Sequence, residues 1–515
     1  MPASIASAPP QQSRTDRSRI AALAPLAPAL AIVAALVTLR TVVYLLFEQF
    51  AFDSDQAVNG LMAKHLSEGR AFPLFFYGQT YMLAVESWVM VPFFWIAGPT
   101  VVALRASMLL WNIAFGALLV AALRRHVGLG RWTALVPALF FLVAPASITT
   151  QLISAQGGIP PFVYVAVLWY LRRRPLWFGA VLAIGFRHRE FTLYAVPVLL
   201  AIEVATGELN RRRVFEWGLS LVMFLAVWEA VAALMPLADL LGPGTRGQLL
   251  GGFADSQIDN LLGRFNGRPA DLIDRARRLA PPLLSWFVGA AQVETSLPLP
   301  NRPALAWFAA ACLGAAAARL AVLTLLPAGA RRDGTWRQAV RAQIVRASFA
   351  WYLLGVGSVS VAMFVAAKPV LAGYSRYAIL GLLIPVGLTA AILALEPRRA
   401  VRQGVTLLVI AWAALAVGDH TRVLLATIRQ PPANPLRQLA DRLVERHVPV
   451  ASAGYWRAYV VTFLAREGVR VASNDFVRIQ EYQELFFARR NEAVSVEELP
   501  CSGAEHVANW YLCPP

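Results

Sequence analysis

Two carboxylates stand two residues apart in Phe52-Asp53-Ser54-Asp55-Gln56, directly after the first long apolar run. Either side chain can cap the helix expected over Gln56–Ser67 by accepting its first backbone N–H groups. Either can act as a general base that takes a proton from an attacking hydroxyl. Asp53 and Asp55 together can also offer oxygen ligands to Mg²⁺ or Mn²⁺, although two carboxylates make an incomplete shell.

Further on, a Gly-, Pro- and aromatic-containing turn, Gly69–Gln79, leads into Tyr81–Phe94. Gln79 and Glu86 are seven residues apart and share one face if the segment is helical. Glu86 lies in the apolar context Leu83-Ala84-Val85-Glu86-Ser87-Trp88, where an unpaired carboxylate is costly. Its expected partners are Lys64, Arg70 or a bound hydroxyl. A second cluster, Phe186-Arg187-His188-Arg189-Glu190, interrupts two apolar runs. It reads either as a salt-bridged break, arginine to Glu190, or as an anion site where arginine presents a bidentate fork to phosphate. The third group is Lys368 with Tyr374-Ser375-Arg376-Tyr377. Arg376 stands at the start of an expected helix, where the helix dipole disfavours a cation, so an anionic neighbour should compensate it. The chain has no Gly-x-Gly-x-x-Gly after a strand, Walker loop, Cys-x-x-Cys or His-Glu-x-x-His, and no detectable internal repeat.

What must position these groups is set by composition. Of 515 residues, 58% are hydrophobic and 15% charged, which a soluble globule could not hide from water. Collagen, coiled coil and disorder are excluded by the lack of a Gly or heptad period and by the dominant apolar runs. The expected fold is an α-helical polytopic membrane protein with a small α/β C-terminal domain. Hydrocarbon about 30 Å thick needs roughly 20 residues per helix. About eleven runs qualify as crossings: Ile20–Phe47, Val101–Leu123, Trp132–Thr150, Ile159–Leu171, Leu176–Phe186, Phe191–Thr206, Phe215–Pro236, Ala304–Leu326, Ala347–Ala366, Tyr377–Leu395 and Gly404–Thr427. The fourth to sixth are short, so that region is expected to hold tilted or broken helices.

The formal charge of +17 comes from 47 basic and 30 acidic residues, and only Lys64 and Lys368 are lysines. The arginines cluster between apolar runs, at Arg14/Arg17/Arg19, Arg124/Arg125/Arg131, Arg172–Arg174, Arg211–Arg213, Arg331–Arg346 and Arg398–Arg402. This is the cytoplasmic-loop bias of a multi-pass inner-membrane protein, not a nucleic-acid footprint. It places the N-terminus inside and three larger pieces outside. The divisions are a disordered tail over residues 1–19, a membrane domain over 20–427 with outer loops 48–100 and 237–303, and an outer domain over 428–515. In the second loop, Asp271–Arg278 has helical spacing and reads as an interfacial or a solvated amphipathic helix. In the outer domain, Leu436–His447 and Tyr455–Arg466 read as helices and Pro449–Ala453 and Val469–Ala472 as strands. The domain is too small to be robust alone and is expected to dock on the membrane part. Cys501 and Cys513 either form a short-loop disulfide or stay as buried thiols.

This arrangement resembles the GT-C superfamily of membrane glycosyltransferases, which includes protein mannosyltransferases, lipid A aminoarabinose transferases and bacterial arabinofuranosyltransferases. The resemblance is carried by Asp53 and Asp55 after span one, Gly78-Gln79-Thr80-Tyr81-Met82 with Glu86, the broken helices around Arg187–Glu190, and Arg376-Tyr377 before an apolar helix containing Pro385. It implies transfer of a sugar from a polyprenyl-phosphate donor to an extracytoplasmic glycan, lipid or protein, usually with inversion. On that footing Asp53 is the expected base with Asp55 second, and Arg187, Arg376, Lys368 and His188 face the donor phosphate. Glu86, Gln79, Tyr81, Lys64, Glu190 and Tyr377 face sugar or acceptor hydroxyls. A divalent cation is optional. The alternatives are a transporter or flippase of lipid-linked saccharides and a non-enzymatic envelope assembly protein.

Overall fold

The computed structural model describes residues 26–79, 82–240, 269–290, 299–325, 335–367 and 375–515. Tyr81, Lys368, the Met1–Gln12 tail and residues 241–268 and 291–298 of the second outer loop lie outside the described residues. In hydrocarbon a backbone must satisfy its own hydrogen bonds, and each of the eleven apolar runs is accordingly helical.

The chain begins with α1 (Ala27–Leu46), then α2 (Ser54–Ser67), α3 (Val85–Ala97) and α4 (Val101–Val127). A bent pair follows, α5 (Arg131–Leu142) and α6 (Ala146–Ile153), and then the short helices α7 (Pro160–Leu171), α8 (Pro175–His188) and α9 (Ala195–Ala205). The rest of the helical part is α10 (Arg211–Leu240), α11 (Pro269–Val288), α12 (Pro303–Leu325), α13 (Thr335–Arg346), α14 (Ser348–Ala366), α15 (Leu383–Leu395) and α16 (Arg399–Arg429). Among the described residues seven helices are long and apolar enough to cross a membrane, or eight if α5 and α6, bent by 84°, count as one span. Below that length are α7, α8 and α9, with 12, 14 and 11 residues, in the stretch expected to hold broken helices. The Arg376–Leu395 segment is central, with 89% of its apolar window buried, whereas only 6% of the α10 window is. Trp95, Ile96, Trp177, Phe215, Trp307 and Leu407 point outward, as lipid-facing side chains do.

Two arginines inside apolar helices organise this bundle. Arg40 of α1 donates to the Phe141 carbonyl at 2.6 Å and to Asn112 Oδ1 at 2.5 Å. Asn112 also donates to the Leu152 carbonyl at 2.8 Å, Tyr44 to the Ala146 carbonyl at 3.0 Å, and His420 Nε2 lies 2.8 Å from the Ala144 carbonyl. Apart from Leu152 near the end of α6, these carbonyls lie around the α5–α6 bend, where a broken helix leaves acceptors unsatisfied. Arg105 of α4 donates to the carbonyls of Tyr44, Phe47 and Phe50, so a cation completes the C-terminal end of α1 and steers the chain toward Asp53.

The C-terminal unit contains α17 (Pro435–Glu445), β1 (Val450–Ala453), α18 (Tyr455–Leu464), β2 (Arg470–Ser473), α19 (Gln480–Ala488), β3 (Val494–Glu497), β4 (Glu505–Val507) and β5 (Trp510–Cys513). The strand order is β2-β1-β3-β5-β4. β1 pairs in parallel with β2, Val450 opposite Arg470, and with β3, Ala451 opposite Val494, and the other pairings are antiparallel. All four residues of β1 are buried, as suits a central parallel strand. Cys501 and Cys513 form a disulfide with Cα atoms 5.9 Å apart.

α2 joins the two parts. Every residue from Ser54 to His65 is buried, although the helix carries Asp55, Gln56, Asn59, Lys64 and His65. A polar helix buried all round needs a partner for each polar group. Asn59 donates to the Ala155 carbonyl at 2.6 Å, and Ser87 to the Asn59 side chain at 3.0 Å. Lys64 and His65 reach Glu467 in the C-terminal unit at 2.5 and 3.1 Å. At Gly60 a Cβ would stand 2.5 Å from the Phe463 ring, so only glycine lets α18 lie this close.

Candidate active site

The site is built where α2 begins. Asp53 is its N-cap: Oδ1 accepts the backbone N–H of Gln56 at 3.0 Å, so one partly buried carboxylate both caps the helix and stands at the site. Gln56 Nε2 turns back to the Ala51 carbonyl at 2.6 Å and fixes the approach to the cap. Asp55, within the first turn, accepts hydrogen bonds from Gln156 Nε2 and from the Tyr455 hydroxyl. Arg376 Nη1 donates to Gln156 Oε1 at 2.5 Å. Gln156 therefore bridges Asp55 and Arg376, and the negative charge expected to compensate Arg376 includes Asp55 and Asp53, beside Tyr377. Tyr377 packs its ring edge-on against Phe191, with centroids 5.7 Å apart.

Burial raises the Asp53 carboxyl to about 6, and the charge of neighbouring Asp55 adds to the rise, while the Gln56 hydrogen bonds and Arg376 oppose it. A carboxyl titrating near neutral pH is suited to receive a proton and to give it back.

The residue after Gln156 leads to a second polar group. The Gly157 backbone N–H donates to Glu86 Oε1, while His188 Nε2 and Arg189 Nη2 lie 3.3 and 3.4 Å from Glu86 Oε2. Tyr164 bonds the other ring nitrogen of His188 at 3.0 Å. Gly157 has φ +87°, and a Cβ there would overlap the Arg189 guanidinium, so glycine is required on both counts.

Several expected placements change. Glu86 is partnered by His188, Arg189 and Gly157, not by Lys64 or Arg70, because those two cations are drawn to Glu467 and Glu68. Arg187 does not join Asp53. Its guanidinium lies 3.6 Å from the Trp228 ring and donates to the Trp228 carbonyl at 3.1 Å, because the last turn of α8 faces α10. It still touches the first loop, its guanidinium 6.0 Å from the centre of the Phe75 ring and its carbonyl accepting from Leu83 N–H at 3.2 Å. Arg189 to Glu86 holds the break, and Glu190 is buried at the start of the short 3-10 turn Glu190–Tyr194. Gln79 closes a turn through its N–H to the Phe76 carbonyl at 3.0 Å.

Gln156, Tyr455 and Arg189 were not singled out by sequence reasoning as individual site residues. The signal for Gln156 was an amide before two glycines in the uncharged segment Pro145–Ile159. For Tyr455 the sequence offers none, because the contact spans 400 residues.

A divalent cation fits this donor set poorly. Asp55 is already engaged by Gln156 and Tyr455, Asp53 caps α2, and among the described residues no group of three His, Cys, Asp or Glu side chains is disposed to hold a metal.

No family model matches the sequence, and no curated protein matches it. Solved structures do. The chain is similar to ArnT from Cupriavidus metallidurans bound to undecaprenyl phosphate, with 12% identity, a TM-score of 0.43 and coverage of 94% of this chain and 97% of that one. The apo state of the same ArnT gives 13%, 0.44, 94% and 98%. The Archaeoglobus fulgidus oligosaccharyltransferase in complex with zinc and sulfate gives 14%, 0.49, 91% and 68%.

Proposed function

We propose that the chain is a membrane glycosyltransferase that moves a sugar from a polyprenyl-phosphate donor to an acceptor hydroxyl on the extracytoplasmic face, with inversion. The observation that carries this reading is the grouping of Asp53, Asp55, Gln156 and Arg376 at the exit of the first span. Asp53 accepts the proton of the acceptor hydroxyl as its oxygen bonds to the anomeric carbon. The bond from that carbon to the phosphate oxygen breaks on the opposite face, and the electron pair leaves with the lipid phosphate. Arg376, a permanent cation in a partly buried site, balances the charge that gathers there. Glu86, bound by His188 and Arg189, shapes the neighbouring wall and is placed to orient sugar or acceptor hydroxyls. No step runs through a metal. The arginine bias of the alternate loops supports a plasma-membrane location with the N-terminus cytoplasmic.

The test uses the purified full-length protein with a labelled polyprenyl-phosphate sugar. The wild type should yield a new glycosidic product, and Asp53→Asn should lower turnover by roughly 10²–10⁴-fold, the usual contribution of a general base. Near-normal transfer by Asp53→Asn would remove it as base.

A further inference from the structure

The turn between α6 and α7, Ala155-Gln156-Gly157-Gly158, is pinned through its backbone from several sides. The Asn59 side chain donates to the Ala155 carbonyl at 2.6 Å, the Ala155 N–H meets Gln56 Oε1 at 3.4 Å, and the Gly157 N–H donates to Glu86 Oε1. The two glycines leave no slack. A Cβ at Gly157 would overlap the Arg189 guanidinium, and one at Gly158 would stand 1.8 Å from the Gln151 carbonyl oxygen. Within this fixed turn only Gln156 carries a side chain able to hydrogen-bond.

That side chain is engaged by two opposite charges. Its Nε2 donates to Asp55 Oδ2, and its Oε1 accepts from Arg376 Nη1 at 2.5 Å. The charges dictate which way the amide faces, because the anion takes the N–H and the cation takes the oxygen. A carboxylate of the same length could serve Arg376 but would turn an acceptor, and a negative charge, onto Asp55. Asp55 and Asp53 also act on Arg376 directly, beside Tyr377, so the amide is not what supplies that attraction. What it adds is direction. One Asp55 oxygen is committed to Gln156 and the other to Tyr455, so the carboxylate plane is fixed from both sides. The negative charge of Asp55, which helps to raise the Asp53 carboxyl, thereby keeps one place.

We propose that Gln156 is a positioning residue of the active site: the rigid turn presents its amide so that it fixes the Asp55 carboxylate beside Asp53, and the role requires a neutral amide. The inference rests on the glycosyltransferase reading for its consequence in turnover, while the contact itself is independent of that reading. Gln156→Met fills a similar volume without either hydrogen bond. It should lower kcat by roughly ten- to a hundredfold, as small misplacements at a reacting centre do, with the acceptor KM unchanged. Gln156→Glu keeps the shape and adds a third carboxylate beside Asp55 and Asp53. Like charges raise one another's pKa, so the break in the pH profile of kcat/KM should move up by about one unit or more. Turnover lost at neutral pH should then return as the pH is raised. A glutamine with a merely structural role would change the thermal midpoint and leave that break in place. A kcat for Gln156→Met within about twofold of wild type, or a break in Gln156→Glu at the wild-type pH, overturns the proposal. A second arm needs no turnover and uses the full-length protein grown on 15N-labelled glutamine. The side-chain NH2 resonance that Gln156→Met removes should move on Asp55→Asn and stay in place on Asp441→Asn, an exposed position on α17. A resonance indifferent to Asp55→Asn overturns the contact, and the proposal with it. If the wild type transfers no sugar, the glycosyltransferase reading and the positioning role fail together, and the nitrogen arm still reports on the contact.

Discussion

Lys64 and Glu467 lie 403 residues apart in the chain and meet at 2.5 Å, both almost fully shielded from water. Glu467 also accepts from Arg70, from the Tyr482 hydroxyl at 2.8 Å, and faces His65 at 3.1 Å. One carboxylate thus joins α2 to the C-terminal unit. Burial alone would raise its pKa, but His65 and Lys64 outweigh burial and hold it well below the ordinary carboxylate range.

Glu467→Gln should therefore loosen the C-terminal unit. Removing one member of a buried ion cluster costs roughly 3–5 kcal/mol because the remaining charges lose their partner. Limited proteolysis in the linker near Gln430–Asn434 should accelerate, and the thermal midpoint should fall. Because the folded pKa is depressed, the stability this group contributes is present above its ordinary value of 4.5 and is lost as pH falls through the depressed one. Unchanged protease resistance at pH 7 would remove Glu467 as the latch.

Asp53 has the opposite sign. With its carboxyl raised to about 6, a base mechanism predicts that kcat/KM rises tenfold per pH unit below that value and levels off above it. The stability linked to this group is fully present below its ordinary 3.8 and is lost as pH rises through about 6. A pH–rate profile with no break between pH 5 and roughly 7 would argue against Asp53 as the titrating base.

Arg105 is expected to matter as much for activity as for folding. Arg105→Leu leaves the carbonyls of Tyr44, Phe47 and Phe50 without this donor and should destabilise the protein by roughly 3 kcal/mol. Because these carbonyls lead directly to Asp53, the fraction that remains folded should also turn over more slowly. Thermal unfolding followed by tryptophan fluorescence, with turnover normalised to folded protein, separates the two effects.

Reduction of Cys501–Cys513 opens a loop with a sequence separation of only 12 and should cost about 2–3 kcal/mol, confined to the C-terminal unit. Transfer at low temperature should persist, since the described hydrogen bonds of Asp55 run to Gln156 and Tyr455 and not to the disulfide. Loss of activity on mild reduction, without loss of the thermal midpoint, would contradict this.

How far the sequence foretells this molecule depends on the range of the interaction. Apolar runs, the acid pair and the charged break at Arg187–Glu190 are local patterns, and each recurs at its expected place. In the C-terminal unit, β1, α18 and β2 follow from period and turn residues, but β3 to β5 do not, because short strands acquire meaning only from the neighbours they pair with. The same applies to the cations. Arg187 and Arg189 are equivalent in sequence, and only the facing of α8 decides that the first meets Trp228 and the second Glu86. Arg40 and Arg105 did carry a legible signal: each is a lone arginine within an apolar run, away from the loop clusters, where the bilayer penalises a charge without a purpose.

Arg40 has a further consequence, for how the protein is made. Its acceptor Phe141 lies 101 residues downstream, and Asn112 follows by 72, so neither has been synthesised when the first helix leaves the ribosome. The nascent helix must enter lipid with its guanidinium clothed in water or headgroup phosphate, at a cost of roughly 2.5–3.5 kcal/mol if centrally placed. Dehydration of that side chain has to wait for the fifth helix. The order of biogenesis is thereby imposed by a single residue: α1 is inserted before the helices that give it its final environment.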